Sequence, residues 1–345
     1  MSATPWNLPA SDIDAGVEKS SHFLESLRGA RILVTGGTGF LGCWLVSSLL
    51  RANTSLGLDL KMLVLTRDPG AVPIEESPVV SLLHGDVRSL VDPGEINFII
   101  HGAASSSSVF GEGDGIPTRM AATIIEGTHA VLDLGAKYRA RLLFLSSGAV
   151  YGPQIAEVSE SCMTAPDTLD VRSIYGQAKR LAETLCAVAT ESNDVSTVVA
   201  RLFAFIGPKI PLNIHYAAGN FMRDALAGKP IMVHGDGRSR RSYMYAGDLP
   251  DWCWALISKG RPGVAYNVGS PEAISIAELA IRIAGITAPP LQVQILGTPG
   301  EKEPPWYVPD TSRIQSELGL VLRTPLDDAL RKTYVWFSSL KKPVR

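Results

Sequence analysis

Cysteine is scarce and scattered in this sequence. The four that occur in 345 residues, Cys43, Cys162, Cys186 and Cys253, form no CxxC pair and no Cys/His spacing. That excludes a thiolate metal site and a disulfide framework, and it reads as reduced thiols in a cytoplasmic protein. No metal site is expected elsewhere. Charge of one sign is lacking too: a net charge of −2 excludes a nucleic-acid-binding surface. No uninterrupted apolar run reaches the ~18 residues a bilayer requires, and no basic-then-apolar leader opens the chain, so no membrane contact is expected. What is present, 46% hydrophobic and 19% charged residues, suits a globular chain large enough for a full core and a second lobe.

The chain is organised around residues 31–42, RILVTGGTGFLG. Ile32, Leu33 and Val34 predict a short strand, and Leu41, Trp44, Leu45 and Leu49 give the following helix an apolar face. Between them, Gly36, Gly37, Thr38, Gly39, Phe40, Leu41 and Gly42 form a glycine-rich turn. Its glycines permit a tight turn, close backbone approach to a pyrophosphate and close helix–strand packing. Amide N–H groups at the helix start then face the anion. This is a dinucleotide-binding loop.

Residues 1–29 read as an extension carrying one helix over 11–27, capped by Ser11, with Ile13, Val17, Leu24 and Leu27 near one face. Residues 30–207 alternate strands and helices, which implies a parallel sheet with right-handed crossovers. Strands are expected at 61–66, before His84-Gly85-Asp86-Val87, at 97–101, at 142–146 and at 196–203, with a helix over 121–136. Residues 208–345 break into shorter pieces punctuated by glycine and proline. They predict a smaller lobe, parts of which can return to the sheet.

The second strand ends Leu65-Thr66-Arg67-Asp68, with Arg67 following the position where an acid would bind the adenosine ribose. An arginine there accommodates a 2′-phosphate, which favours NADP over NAD. The ordinary alternative is a solvated Arg67 with Asp68 on the ribose. Asp86 is a candidate partner for the adenine amino group, or a plain turn residue.

The chemistry lies further on. Ser146 and Ser147 stand at the C-terminal edge of the expected fifth strand, where open α/β sheets bind ligands. Tyr175 and Lys179, four apart, share one helix face. Lowering a phenol from ~10 to ~7 takes about 4 kcal/mol, and an ammonium ~5 Å away at an effective dielectric of ~20 supplies about 3 kcal/mol of it. His101 after its apolar strand reads as structural. Trp252 and Trp254 read as core.

With TGGTGFLG, HGAA, SSGAVYG, YGQAK, Arg201…Gly207-Pro208 and GDGRSRRSYMYAGDL in this order, the chain resembles the extended short-chain dehydrogenases/reductases, in their nucleotide-sugar epimerase/dehydratase branch. The resemblance covers roughly residues 30–325. It implies an α/β, Rossmann-type doubly wound parallel sheet holding NAD(P), and a C-terminal lobe holding a nucleoside-diphosphate sugar. Hydride chemistry at the sugar's C4 is implied as well, in a homodimer built on a helix face with Ala178, Leu181, Ala182 and Leu185. It assigns Ser147, Tyr175 and Lys179 to catalysis and Arg241 to the substrate diphosphate. Val87, Ala103 and Ala104 join the cofactor set. Ser105, His215, Tyr216, Asn220 and Arg223 are candidate substrate contacts.

The departures narrow the reaction. Gly148 and Ala149 stand where family 4,6-dehydratases carry an Asp-Glu pair, and the single glutamate of the decarboxylating relatives is also missing. Ala204 replaces a substrate-binding asparagine, and Ile124 replaces another. A 4-ketoreductase or 4-epimerase needs neither acid. A dehydratase would need one from elsewhere, such as Glu157 or Glu160. A non-catalytic NADP-binding scaffold is the remaining alternative.

Overall fold

A computed structural model of the chain describes residues 5–74, 76–104, 116–213 and 216–340. Helix α1 (Ala10–Leu24) precedes the first strand and is prolonged by a 3₁₀ turn at Glu25–Leu27. Pro9, not Ser11, is its N-cap, with extended backbone and no side-chain bond to the first amides. The helix therefore opens one residue before the expected cap, and Ser11 lies inside it. Ile13, Val17, Leu24 and Leu27 are buried, as their spacing requires.

Strands β1 (Arg31–Thr35), β2 (Lys61–Thr66), β3 (Val80–His84), β4 (Phe98–His101), β5 (Arg141–Ser147) and β6 (Ser196–Leu202) follow. Helices α2 (Gly42–Leu56), α3 (Ile116–Tyr138) and α4 (Ile174–Glu191) separate them. The chain then runs through β7 (Phe205–Ile206), α5 (Ala217–Leu226), β8 (Ile231–Val233), β9 (Arg240–Arg241), β10 (Met244–Tyr245) and α6 (Leu249–Lys259). It finishes with β11 (Ala265–Val268), β12 (Ile274–Ser275), α7 (Ile276–Ala284), β13 (Val293–Ile295), β14 (Trp306–Tyr307), α8 (Ser312–Leu318) and α9 (Leu326–Leu340).

Seven strands form one parallel sheet in the order β11-β6-β5-β4-β1-β2-β3, a Rossmann-like α/β arrangement. Its strands read as apolar runs because both faces are covered. Ile32, Val34, Ile100 and Leu143 pack with Trp44, Trp252 and Trp254 on one side. Leu33, Ile99, Leu142 and Phe144 pack with α3 and α4 on the other, the period-2 alternation of a strand. Strand order reverses between β1 and β4, which opens a crevice at their C-terminal ends. β11 comes from beyond residue 207 and still joins this sheet. The remaining strands form small sheets, among them β12-β9-β14.

Helix α4 turns Ala178, Ala182 and Cys186 inward, so the alanines belong to the core and not to the outer face. Small side chains let the helix lie close to the sheet. The outer face carries Leu181 and Val188, 45% and 62% exposed. All four cysteines are unpaired. Among the described residues no helix is long and apolar enough to cross a membrane, and no group of three or more His, Cys, Asp or Glu could hold a metal.

Candidate active site

A cavity of about 1050 Å³ opens over the crevice and extends toward the small sheets. The turn after β1 forms one wall. Gly36 adopts φ +74°, and a β-carbon there would stand 2.5 Å from the Gly102 carbonyl oxygen, so only glycine lets the two loops meet. A β-carbon at Gly42 would lie 2.0 Å from the Gly36 oxygen. Gly36, Thr38, Gly39, Phe40, Leu41 and Gly42 line the cavity. Gly37 does not: it faces Val34, Val46 and Val64, and its missing side chain serves close packing of helix on sheet.

Ala103 and Ala104 form the adjoining wall. Their loop is held by buried His101. Thr128 donates to the Ile124 carbonyl (2.6 Å), so its oxygen accepts from His101 Nε2 (3.1 Å). Nδ1 is left to accept from the Thr35 hydroxyl (2.7 Å), whose oxygen accepts the Ala103 N–H (3.2 Å). Burial pushes the imidazole pKa down to about 3, so it stays neutral, the structural part expected of it.

Arg67, Asp86 and Val87 line one end. Arg67 is exposed, whereas Asp86 is held by Arg88 Nε at 2.9 Å and kept below its ordinary pKa by that bond. The only other carboxylates of the described lining are Asp224, paired with Arg223, and Asp236, paired with Arg238.

Ser147, Tyr175 and Lys179 converge on the middle of the same cavity from the end of β5 and the first turns of α4. Ser147 Oγ accepts the Ala149 N–H at 3.2 Å. Lys179 is 2% exposed and donates to the Leu145 carbonyl at 2.7 Å, with its ammonium 4.7 Å from the Phe144 ring centre. Burial lowers its pKa to about 8. Burial first, then the neighbouring Tyr307 and Tyr216 phenols, raise the Tyr175 pKa, opposed by the nearby Ser147 hydroxyl. The expected lowering of Tyr175 by Lys179 is thus not established in the chain alone, because the ammonium is turned to Leu145.

Behind the end of β5 lies a polar network that the sequence reading missed. Ser146 donates to Glu183 at 2.5 Å, Glu183 pairs with Arg201 at 2.6 Å, and Arg201 reaches the Tyr151 hydroxyl at 2.8 Å. Tyr307 was missed as well. Its hydroxyl lies 3.2 Å from Ser147 Oγ. The expected acids at 157 and 160 are elsewhere: Glu157 is exposed, and Glu160 accepts the Asn267 N–H; neither lines the cavity.

At the far end, Asn220, Arg223 and Tyr216 line the wall, with Arg223 donating to Asn220 at 3.2 Å. Of the three neighbouring arginines, only Arg241 lines the cavity. Arg238 is spent on Asp236 and the Gly300 carbonyl, and Arg240 lies over Trp306. Arg241 stacks on Tyr307 and has no carboxylate partner among the described residues, which leaves its fork free for a phosphate. Ser105 and His215 lie outside the described residues.

The model of the "NAD dependent epimerase/dehydratase family" matches residues 32–269. Among curated proteins, UDP-glucuronic acid decarboxylase 6 of Arabidopsis thaliana is 28% identical over 321 residues, covering 90% of this chain and 89% of that protein. Among solved structures, a UDP-glucose 4-epimerase with UDP-glucose from Thermotoga maritima superposes with a TM-score of 0.78 at 21% identity, covering 90% of this chain and all of that one. A dTDP-glucose 4,6-dehydratase from Bacillus anthracis in complex with NAD gives 0.74 at 20% identity, covering 90% and 97%.

Proposed function

The chain belongs to the NAD dependent epimerase/dehydratase family, and on that premise we propose that it moves hydride at C4 of a nucleoside-diphosphate sugar, as a 4-ketoreductase or a 4-epimerase. The observation that carries this reading over elimination is the stretch beside Ser147. Gly148 and Ala149 offer no proton, and a β-carbon at 148 would stand 2.8 Å from two ring atoms of Phe203. Neither Glu157 nor Glu160 supplies the missing acid.

The cradle fits a dinucleotide: glycine at 36 and 42 lets the turn close on the Gly102 loop and on itself, and at Gly39, where a β-carbon would meet nothing nearer than the Gly36 oxygen at 3.4 Å, the cavity side is open to a closely approaching pyrophosphate. The loop amides and Arg67 would hold the phosphates, Asp86 the adenine, and Lys179 a ribose hydroxyl. A nicotinamide held there would supply the hydride acceptor or donor. Tyr175 exchanges the proton of the C4 hydroxyl, and Ser147 donates to the same oxygen as charge develops on it. Arg241 anchors the diphosphate. Arg67 supports NADP over NAD. A homodimer that covers Leu181 and Val188 belongs to the same proposal.

The decarboxylase relatives support a second reading. Oxidation at C4 of a uronic acid gives a β-keto acid, which loses carbon dioxide. The test begins by denaturing the purified protein and identifying any released dinucleotide by chromatography, alongside NADPH and NADH titrations. An empty protein that binds NADPH tightly and NADH weakly supports the ketoreductase. Stoichiometric retained NAD supports an enzyme that recycles its cofactor, an epimerase, a dehydratase or a decarboxylase, which product analysis then separates, and it makes Arg67 a surface charge.

A further inference from the structure

Tyr307 arrives at the reacting centre from a distant part of the chain. Its strand β14 pairs in parallel with β9, Tyr307 opposite Arg241. The ring is clamped, with the Phe203 ring centre at 4.8 Å and the Arg241 guanidinium at 5.3 Å. Its hydroxyl stands 3.2 Å from Ser147 Oγ and 3.4 Å from the Leu202 carbonyl.

A serine hydroxyl has one proton to give and two lone pairs to fill. In Ser147, the Ala149 N–H occupies one lone pair. We propose that Tyr307 is a positioning residue: its phenol donates to the other lone pair, so that the only free function of Ser147 is its own proton, aimed at the oxygen on the substrate's C4. This inference rests on the C4 hydride reading above.

The polarity follows from distance and chemistry. In the reverse arrangement Ser147 would spend its proton on Tyr307, and Tyr307 would spend its own on Leu202 at 3.4 Å, near the outer limit of a hydrogen bond. Burial raises the Tyr307 pKa, so the phenol keeps a proton to donate at neutral pH. A serine fixed as donor is set before charge develops on the C4 oxygen and needs no reorientation during hydride transfer.

Tyr307→Phe keeps the ring between Phe203 and Arg241 and removes only the hydroxyl. With NADPH and UDP-4-keto-6-deoxyglucose as probes, kcat should fall roughly 2- to 12-fold, the worth of one hydrogen bond, while KM stays within about twofold. In a Ser147→Ala background the same change should cost nothing more, because Tyr307 acts through Ser147. An undiminished or faster rate for Tyr307→Phe, or fully additive losses in the double variant, overturns the assignment. Neutron diffraction from deuterium-exchanged crystals of the dinucleotide-bound protein reads the same bond without any substrate. A deuteron on Tyr307 pointing at Ser147 supports the proposal, and one on Ser147 pointing at Tyr307 overturns it. A wild-type protein inert on nucleotide sugars would sink the C4 reading instead, and the neutron result would still decide the role of Tyr307.

Discussion

Phe203 occupies the space that a side chain at position 148 would need: a β-carbon on Gly148 would meet two of its ring atoms at 2.8 Å. The lack of an acid beside Ser147 is therefore a matter of packing as well as of residue identity. Gly148→Asp should destabilise the fold by about 1–3 kcal/mol, through overpacking and burial of a carboxylate, without creating dehydratase activity. Thermal unfolding and an assay for 4-keto-6-deoxy product from dTDP-glucose check both halves.

In the function proposed above, Arg67 is the residue that would favour NADPH over NADH. Arg67→Ala should weaken NADPH binding about 10- to 100-fold, the range of a charge-assisted hydrogen bond, and leave NADH binding within about twofold. Fluorescence titration with each cofactor reads the difference.

Lys179 gives stability a pH dependence of known sign. Its folded pKa, about 8, lies below the ordinary lysine value of 10.5. Between these values the unfolded chain binds the proton and the native chain does not, so this residue's contribution to stability rises with pH across that window. Below pH 8 both states are charged, and the burial cost is present in full. Subtracting the urea-unfolding free energies of Lys179→Met from those of the cofactor-free parent should give a difference that climbs from about pH 8 towards 10.5. A flat difference would show that Lys179 is not held in a desolvated site.

The N-terminal helix is tied to the far end of the chain by Asp12, which accepts from the Tyr245 hydroxyl at 2.6 Å and pairs with Lys332 on α9. Asp12→Asn should cost about 1–3 kcal/mol in chemical unfolding, less than a fully buried pair because Lys332 is partly exposed. Loss of α1 contacts would follow as faster amide exchange at Val17 and Leu24.

Much of the fold was legible because the informative patterns are local. Strand β2 runs over the expected residues, 61–66, since its apolar run is bounded by polar residues. The glycine turn, Ser147 and the Tyr175/Lys179 pair come to one cavity because each sits at a strand end or on one helix face. What was hidden depends on tertiary pairing. Tyr307 reaches Ser147 through a two-residue strand whose neighbour is β9. Glu183 and Arg201 meet only once α4 packs on β6. Local spacing likewise cannot tell which side of α4 meets the sheet, so Ala178 and Ala182 were expected outside. Ser11 looked like a cap because its chemistry suits one, but Pro9 already breaks the helix pattern at the entry.

The most direct measurement is mass and proton NMR analysis of products from UDP-4-keto-6-deoxyglucose with NADPH, and from UDP-glucose and UDP-glucuronic acid with NAD, each repeated with Tyr175→Phe. The account predicts a change confined to C4: addition of two hydrogens in the reductive case, or inversion without change of mass. Tyr175→Phe should abolish either while retaining dinucleotide binding. Loss of water from UDP-glucose, or of carbon dioxide from UDP-glucuronic acid, would contradict it, as would undiminished turnover by Tyr175→Phe.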